Sequence, residues 1–186
     1  TRRRSPTVPI VADDSDGTGD HPGAALAAAL SEEAGRPVDV RDLRRLSGGA
    51  SRETWSFTAD DGARERALIL QRVRPGPSLA EADLRVEDAL LAAAATHGVP
   101  VPPVVLTSDG AGPLGPARVT RAVRGEALGP RLVRAERSPE GRRRLMGQLG
   151  RALAGIHRIP VDGTLTRLER QDPLDRARAG LDLLGE

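Results

Sequence analysis

The sequence predicts an α+β fold in which an antiparallel sheet of about five strands holds one long helix and is followed by further helices. Short runs rich in β-forming residues lie at 38–46, 54–59 and 66–73. Asp60-Asp61-Gly62-Ala63 separates the last two runs, and an Asp-Gly pair between such runs is a strong hairpin signal. A capping box, described below, opens the long helix directly after these strands. Together these features favour an antiparallel sheet with an embedded helix.

The chain begins with a segment that has the composition of a disordered tail. Residues 1–20 combine three arginines at 2–4 with an acidic, glycine-containing run from Asp13 to Asp20 and show almost no periodicity. An alanine-rich helix is predicted next, over Ala24–Ala34. Pro22 precedes its first turn and Gly35 follows its end, which is the usual asymmetry of helix termini.

The long helix is predicted from Ser78 to about Thr96. Ser78 followed by Glu81 forms a capping box, and Gly98 is the expected terminator. Residues 99–106 are extended but interrupted by proline, and 117–123 completes the sheet as a fifth strand.

Two more helices are predicted in the second part of the chain. One runs from Ser138-Pro139 to His157 and repeats apolar residues at helical spacing. Another begins at Asp172-Pro173. The repeated apolar residues are Leu145, Leu149, Leu153 and Ile156.

Composition excludes several classes of protein. The chain has no Cys and therefore no disulfide framework, and no window is apolar enough to span a membrane. All 28 basic residues are Arg, and they leave a net charge of only +2. The Arg142–Arg144 run has no neighbouring aromatic residue on which a base could stack. We therefore expect a cytoplasmic protein that binds neither membrane nor nucleic acid.

A glycine-rich segment is the first candidate for ligand binding. Ser47, Gly48, Gly49, Ala50 and Ser51 lie between two predicted strands. Backbone N–H groups bind phosphate oxygens only at close range, and small residues allow that approach. Serine hydroxyls add donors. An ordinary Gly-Gly turn is the alternative interpretation.

The second candidate is Glu87, a carboxylate on the apolar side of the long helix. A helical wheel places it near the middle of an arc, with Arg85, Asp88 and Glu81 facing elsewhere. A buried charge needs a partner, so Arg72 or Gln71, at the end of the preceding strand, is predicted to pair with it. A position at the rim of the interface is the alternative. The arc consists of Leu79, Ala80, Leu84, Val86, Leu90, Leu91 and Ala94.

Two further features carry weaker signals. The strand over 117–123 runs into Arg124-Gly125-Glu126, as a connector between two lobes would, although it could equally be an edge strand. His157 closes an apolar helix, where a packing or C-cap residue is more common than a catalyst. No His or carboxylate cluster with metal-ligand spacing is present in the sequence.

Taken together and in order, these motifs resemble the aminoglycoside phosphotransferase-like family. Its members are small-molecule kinases related in fold to protein kinases and choline kinases. The resemblance spans about residues 40–160, and its more specific parts are HGVPVP at 97–102 and LAGIH at 153–157. The motifs are LSGGASRETW at 46–55, LILQR at 68–72, LRVEDALL at 84–91, HGVPVP at 97–102, RGE at 124–126 and LAGIH at 153–157.

The resemblance implies ATP as cofactor, a small hydroxylated molecule as acceptor, and a role for each motif. Ser47–Ser51 would be the phosphate loop, Glu87 the helix carboxylate of a Lys–Glu pair, and Arg121, Ala122 and Val123 the connector whose backbone meets adenine. The strand has no Lys, however. Arg72 or Gln71 takes its place, and Arg72 is preferred because a cation can both contact phosphate and pair with Glu87.

The chain also departs from the family in its second half. The family's His-Gly-Asp loop, downstream Asn and later Asp supply the catalytic carboxylate and the Mg²⁺ ligands, yet this chain has no His-Gly-Asp and no Asn. No catalytic or metal-binding residue is assigned, and Mg²⁺ is expected only with the missing part. The predicted domains are a tail (1–20), a kinase-like N-lobe (21–123), and a connector with the truncated start of a helical C-lobe (124–186).

The resulting hypothesis is an ATP-dependent phosphotransferase, present here as its nucleotide-binding part. The chain alone is then expected to be inactive and to expose the apolar stripe of its 138–157 helix. A catalytically inactive kinase-like binding module is the alternative.

Overall fold

A computed structural model describes residues 21–46, 52–73, 84–125, 129–135 and 138–167. Five strands form one antiparallel sheet in the order β1-β2-β3-β5-β4. The predicted α+β fold, a kinase-like N-lobe followed by helices, is therefore confirmed. The elements are α1 (Gly23–Ala34), β1 (Asp39–Leu46), β2 (Arg52–Asp60), β3 (Glu65–Val73), α2 (Leu84–Thr96), β4 (Val104–Asp109), β5 (Pro116–Arg121), α3 (Gly129–Ala135), α4 (Pro139–Ile156) and a 3₁₀ turn (Gly163–Arg167).

Several predicted features lie outside the described residues. They are the tail at 1–20, the glycine-rich segment Ser47–Ser51, the capping box of Ser78 and Glu81 with the arc residues Leu79 and Ala80, Glu126 of the connector, and the helix beginning at Asp172.

The β2–β3 hairpin turns where the Asp-Gly signal predicts it. Gly62 has a φ of +79°, a conformation that glycine adopts without strain. The buried Asp61 carboxylate accepts bonds from the Ala63 and Arg64 N–H groups at 3.0 Å and pairs with Arg36 at 2.8 Å. Burial favours the neutral acid, but these N–H groups and Arg36 outweigh it and lower the pKa of Asp61. The Asp61 carboxylate thus occupies the anion-binding position that the N–H groups of the turn create, and it stabilises the turn.

The two faces of the sheet differ in what covers them. One face carries Phe57, Leu68, Leu70 and Val119, which pack with Leu26 and other residues of α1 in the core. Side chains alternate between faces along a strand. The intervening residues of β2 and β3 therefore point to the opposite face, called the open face below, where small polar side chains predominate and burial is only partial. That face carries Thr54, Ser56, Thr58, Ile69 and Gln71.

Helix α4 has the start that the sequence predicts. The Ser138 side chain accepts a bond from the Gly141 N–H at 3.0 Å, and His157 occupies the C-cap position as predicted. Near its end the helix approaches the turn after α2 closely. A Cβ on Gly155 would lie 2.7 Å from Val99 Cγ2, so only glycine allows this contact without a shift.

The opposite side of α4 presents an apolar stripe to solvent. Met146, Leu149, Leu153 and Ile156 are all exposed, in accordance with the sequence prediction for three of them. Leu145, which the periodicity also includes, is half-buried. Among the described residues, no helix is long and apolar enough to cross a membrane.

Candidate functional site

Arg118 on β5 fastens the first turn of α2 to the sheet. Its side chain is only 4% exposed. Nε donates to Asp88 at 2.5 Å, Nη1 to Glu87 at 2.8 Å and Nη2 to the backbone carbonyl of Leu84 at 3.0 Å. Thr107 Oγ1 donates to the other Asp88 oxygen at 2.6 Å. All three nitrogens of Arg118 are therefore occupied, which is what a buried guanidinium requires.

Arg52, the first residue of β2, forms a bidentate pair with the same Glu87. Nη1 donates to Glu87 Oε2 at 2.9 Å and Nη2 donates to Oε1. The Arg52 side chain is 18% exposed and that of Glu87 is 35% exposed, so the pair borders solvent on one side. Glu87 thus joins two cations from two strands to α2.

The charges of this cluster act on one another. The hydrogen bond from Arg52 lowers the pKa of Glu87; partial burial acts in the opposite direction, and Arg118 adds to the lowering. The same hydrogen bond raises the pKa of Arg52 against the effect of burial. Glu87 is therefore ionised at neutral pH, and both carboxylate oxygens serve as acceptors.

The predicted pairing of Glu87 with Arg72 is wrong. Arg72 lies opposite Glu53 and Ala117 in the β ladders, whereas Gln71 lies opposite Thr54 and Arg118. Directly opposed residues point to the same side of a sheet. Arg72 therefore points, buried, to the face that α1 covers, and Gln71 points to the face on which Glu87 meets its two arginines.

The predicted orientation of two other α2 side chains is also wrong. Asp88, predicted to face away from the sheet, bonds Arg118 and Thr107. Leu90, predicted on the buried arc, is 37% exposed. The face of α2 that packs on the sheet is rotated toward Asp88. The reason is that the buried Arg118 pairs with both Glu87 and Asp88. Glu87 itself is half-buried, between the buried and the rim positions considered above.

Sequence reasoning did not find Arg52 or Arg118. The available signal is the alternation of side chains along a strand: Arg118 lies between the buried Ala117 and Val119, and Arg52 lies five positions before the buried Phe57 and so on the opposite face. A cation at such a position faces away from the core, which brings it to the open side of the sheet.

The predicted connector leaves the sheet after Arg121. The Arg121 N–H donates to the Pro103 carbonyl and the Ala122 N–H to the Ala67 carbonyl, both at 3.0 Å. Val123 is exposed. The segment is thus hydrogen-bonded to β3 at Ala122. The phosphate loop proposed at Ser47–Ser51 lies outside the described residues, although Arg52 follows it directly in the sequence.

A groove of about 490 Å³ lies between α2 and β4. Its two carboxylates are already paired, Asp88 with Arg118 and Asp109 with Arg85. Its lining contains two carboxylates and one cation, Arg85, so it is unsuited to a phosphate and we assign it no part in nucleotide binding. Within the described ranges, no group of three or more His, Asp or Glu side chains could hold a metal ion.

Comparison with known proteins gives one match. The family model described as the phosphotransferase enzyme family matches residues 42–184, a span that begins in β1 and contains the other strands, α2 and α4. No curated protein matches the chain, and no solved structure matches it.

Proposed function

The chain belongs to the phosphotransferase enzyme family, and on that premise we propose that it is the nucleotide-binding part of an ATP-dependent phosphotransferase. The acceptor is a hydroxyl of a small molecule. The enzyme acts in the cytoplasm. The family match supports phosphoryl transfer as the reaction, while the arrangement of charges on the sheet supports a nucleotide site.

The observation that carries the proposal is the joined cluster of Arg52, Glu87 and Arg118 on the open face of the sheet. Catalysis of phosphoryl transfer consists mainly of positioning and of electrostatic stabilisation of the phosphates. A guanidinium held by a carboxylate is a pre-positioned donor for such a group. Thr54 and Ser56, which share the face of Arg52 on β2, have small polar side chains.

In this proposal the nucleotide lies against the open face. The Ser47–Ser51 segment covers its phosphates, and the backbone of Arg121, Ala122 and Val123 meets the adenine. Because Gln71 and not Arg72 points to that face, Gln71 is the β3 residue beside the phosphates. The side chain of Arg72 points to the opposite face, which α1 covers.

Transfer also needs a carboxylate for the acceptor hydroxyl and oxygen ligands for Mg²⁺. The chain contains neither Asn nor the His-Gly-Asp sequence. We therefore propose that these groups belong to a further part of the enzyme and that Mg²⁺ binds together with it. A catalytically inactive binding module remains the second candidate, and the same missing motifs favour it.

Calorimetric titration of the chain with ATP tests the proposal, with adenosine and GTP as comparison ligands. We expect weak binding of ATP, because in this proposal part of the cleft and the Mg²⁺ ligands belong to a further part of the enzyme. Absence of binding for every nucleotide up to millimolar concentration would contradict the proposal. Where the reading frame continues past Glu186, a downstream His-Gly-Asp loop with a following Asn favours the enzyme. A stop codon favours the binding module.

A further inference from the structure

We propose that Arg52 is the residue that binds the phosphate groups of the nucleotide, with Glu87 and Arg118 holding its guanidinium in place. The proposal rests on the nucleotide-binding function above and identifies the residue that performs it. It assigns the role to the start of β2 rather than to β3.

The first argument is the number of donors that Arg52 has left. A guanidinium carries five N–H groups in a fixed plane. Two of them bond Glu87, and no acceptor among the described residues takes the other three. These remain directed away from Glu87 on a side chain that reaches solvent. Arg118 is the poorer candidate, because three of its five N–H groups are bonded and its side chain is only 4% exposed.

The second argument is position. Arg52 directly follows, in the sequence, the Ser47–Ser51 segment to which the family resemblance assigns the phosphates. It also shares a face of the sheet with Thr54 and Gln71. The β3 residue on this face, Gln71, is neutral and cannot supply the cation.

The third argument concerns charge. The cluster contains two arginines and two carboxylates, Glu87 and Asp88. Its attraction for phosphate therefore comes from aimed N–H groups rather than from an excess of positive charge. Aimed, bidentate donors discriminate a phosphate from a neutral ligand. Arg52 is thus expected to affect ATP binding and to leave adenosine binding unchanged.

The experiment compares ATP and adenosine affinities of the full chain with those of Arg52→Gln. We expect the variant to lose about tenfold to a hundredfold in ATP affinity, the value of one or two charge-assisted bonds, and to retain adenosine affinity. Arg41→Gln is the matched control, because Arg41 is also a paired arginine near a strand end but lies on β1 beside Asp60 and Glu65. It should bind ATP as the unmodified chain does.

Two more variants protect the test against loss of folding. Arg52→Lys keeps a charge for Glu87 but lacks the planar fork, so we expect an intermediate loss. Arg52→Gln with Gln71→Lys returns a cation to the same face and should regain part of the ATP affinity. Circular dichroism establishes that each variant is folded.

The outcomes separate the two proposals. Failure of the unmodified chain to bind ATP would overturn the nucleotide-binding function. ATP binding that is equal in the unmodified chain and Arg52→Gln would overturn only the role of Arg52. A loss in Arg72→Gln without a loss in Arg52→Gln would do the same and would assign the contact to β3.

Discussion

Replacement of Glu87 by Gln tests the central contact of this fold. In the native chain Glu87 accepts two hydrogen bonds from Arg52 and one from Arg118. Glutamine keeps the shape but offers only one acceptor oxygen, and its NH₂ group then faces an N–H donor. Arg118, whose side chain is 4% exposed, loses one of its two anionic partners.

The size of the effect follows from these contacts. A hydrogen bond to a buried charged group is worth about 1.5–3 kcal/mol. The pair with Arg52 borders solvent and is worth less, about 1 kcal/mol or below. Because glutamine restores part of the bonding, we expect the free energy of unfolding to fall by about 1–3 kcal/mol.

Urea denaturation followed by circular dichroism measures this change. Glu140→Gln is the matched control, because Glu140 forms an exposed pair with Arg143 one turn along α4. We expect that control to change stability by less than about 0.5 kcal/mol. If Glu87→Gln and the native chain have the same urea midpoint, the assignment of Glu87 as a structural partner of the two arginines is refuted.

The pH dependence gives a second readout of the same contact. The pKa of Glu87 is lowered in the folded chain from an ordinary value of 4.5. A lowered acid pKa stabilises the fold above that ordinary value, and the contribution disappears as pH falls through the lowered pKa. The stability difference between native chain and Glu87→Gln should therefore be constant above about pH 5.5 and shrink below pH 4.5.

Three further experiments test the packing of Gly155, the exposed stripe of α4 and the catalytic competence of the chain. Gly155→Ala should lower stability by about 1–3 kcal/mol, because its Cβ would lie 2.7 Å from Val99 Cγ2. Gly150→Ala is the control on the same helix: a Cβ there would have nothing within 4 Å, so the free energy of unfolding should rise by up to about 1 kcal/mol. Urea denaturation measures both variants, and an equal change in Gly155→Ala and Gly150→Ala would contradict the close approach of Gly155 to Val99. The exposed stripe of α4 should promote self-association in sedimentation experiments. Joint replacement of Leu149 and Leu153 by Gln should weaken it, and unchanged association would exclude the stripe as its cause. Finally, the 186-residue chain should not hydrolyse ATP with Mg²⁺; turnover that survives repurification would show that the chain holds a complete catalytic site.

Local patterns predicted most elements of the fold. The Asp-Gly hairpin, the glycine that ends α1 and the Ser138 cap are set by a few neighbouring residues, and each occurs where the sequence indicates. The β4 strand begins at Val104, later than predicted, because the prolines at 100, 102 and 103 cannot donate to a ladder. The seven-residue α3 was not predicted; it is too short for a clear period.

The candidate site was harder to predict because it depends on how strands are paired. The wheel identified Glu87 from one helix alone. Its partners come from β2 and β5, and only the ladder shows that Arg52 and Arg118 share a side of the sheet while Arg72 does not. A shift of one residue exchanges the two faces. The choice between Gln71 and Arg72 therefore required the register of strands far apart in the sequence.

The triple attachment of Arg118 also has a consequence for dynamics. One guanidinium joins the start of α2 to the centre of β5 through Leu84, Glu87 and Asp88, so the helix cannot pivot away from the sheet without breaking all three bonds. Elements coupled in this way open together rather than separately. The amides of α2 and β5 are therefore expected to exchange with deuterium at one common free energy of opening, and a nucleotide that binds at Arg52 would slow the exchange of both.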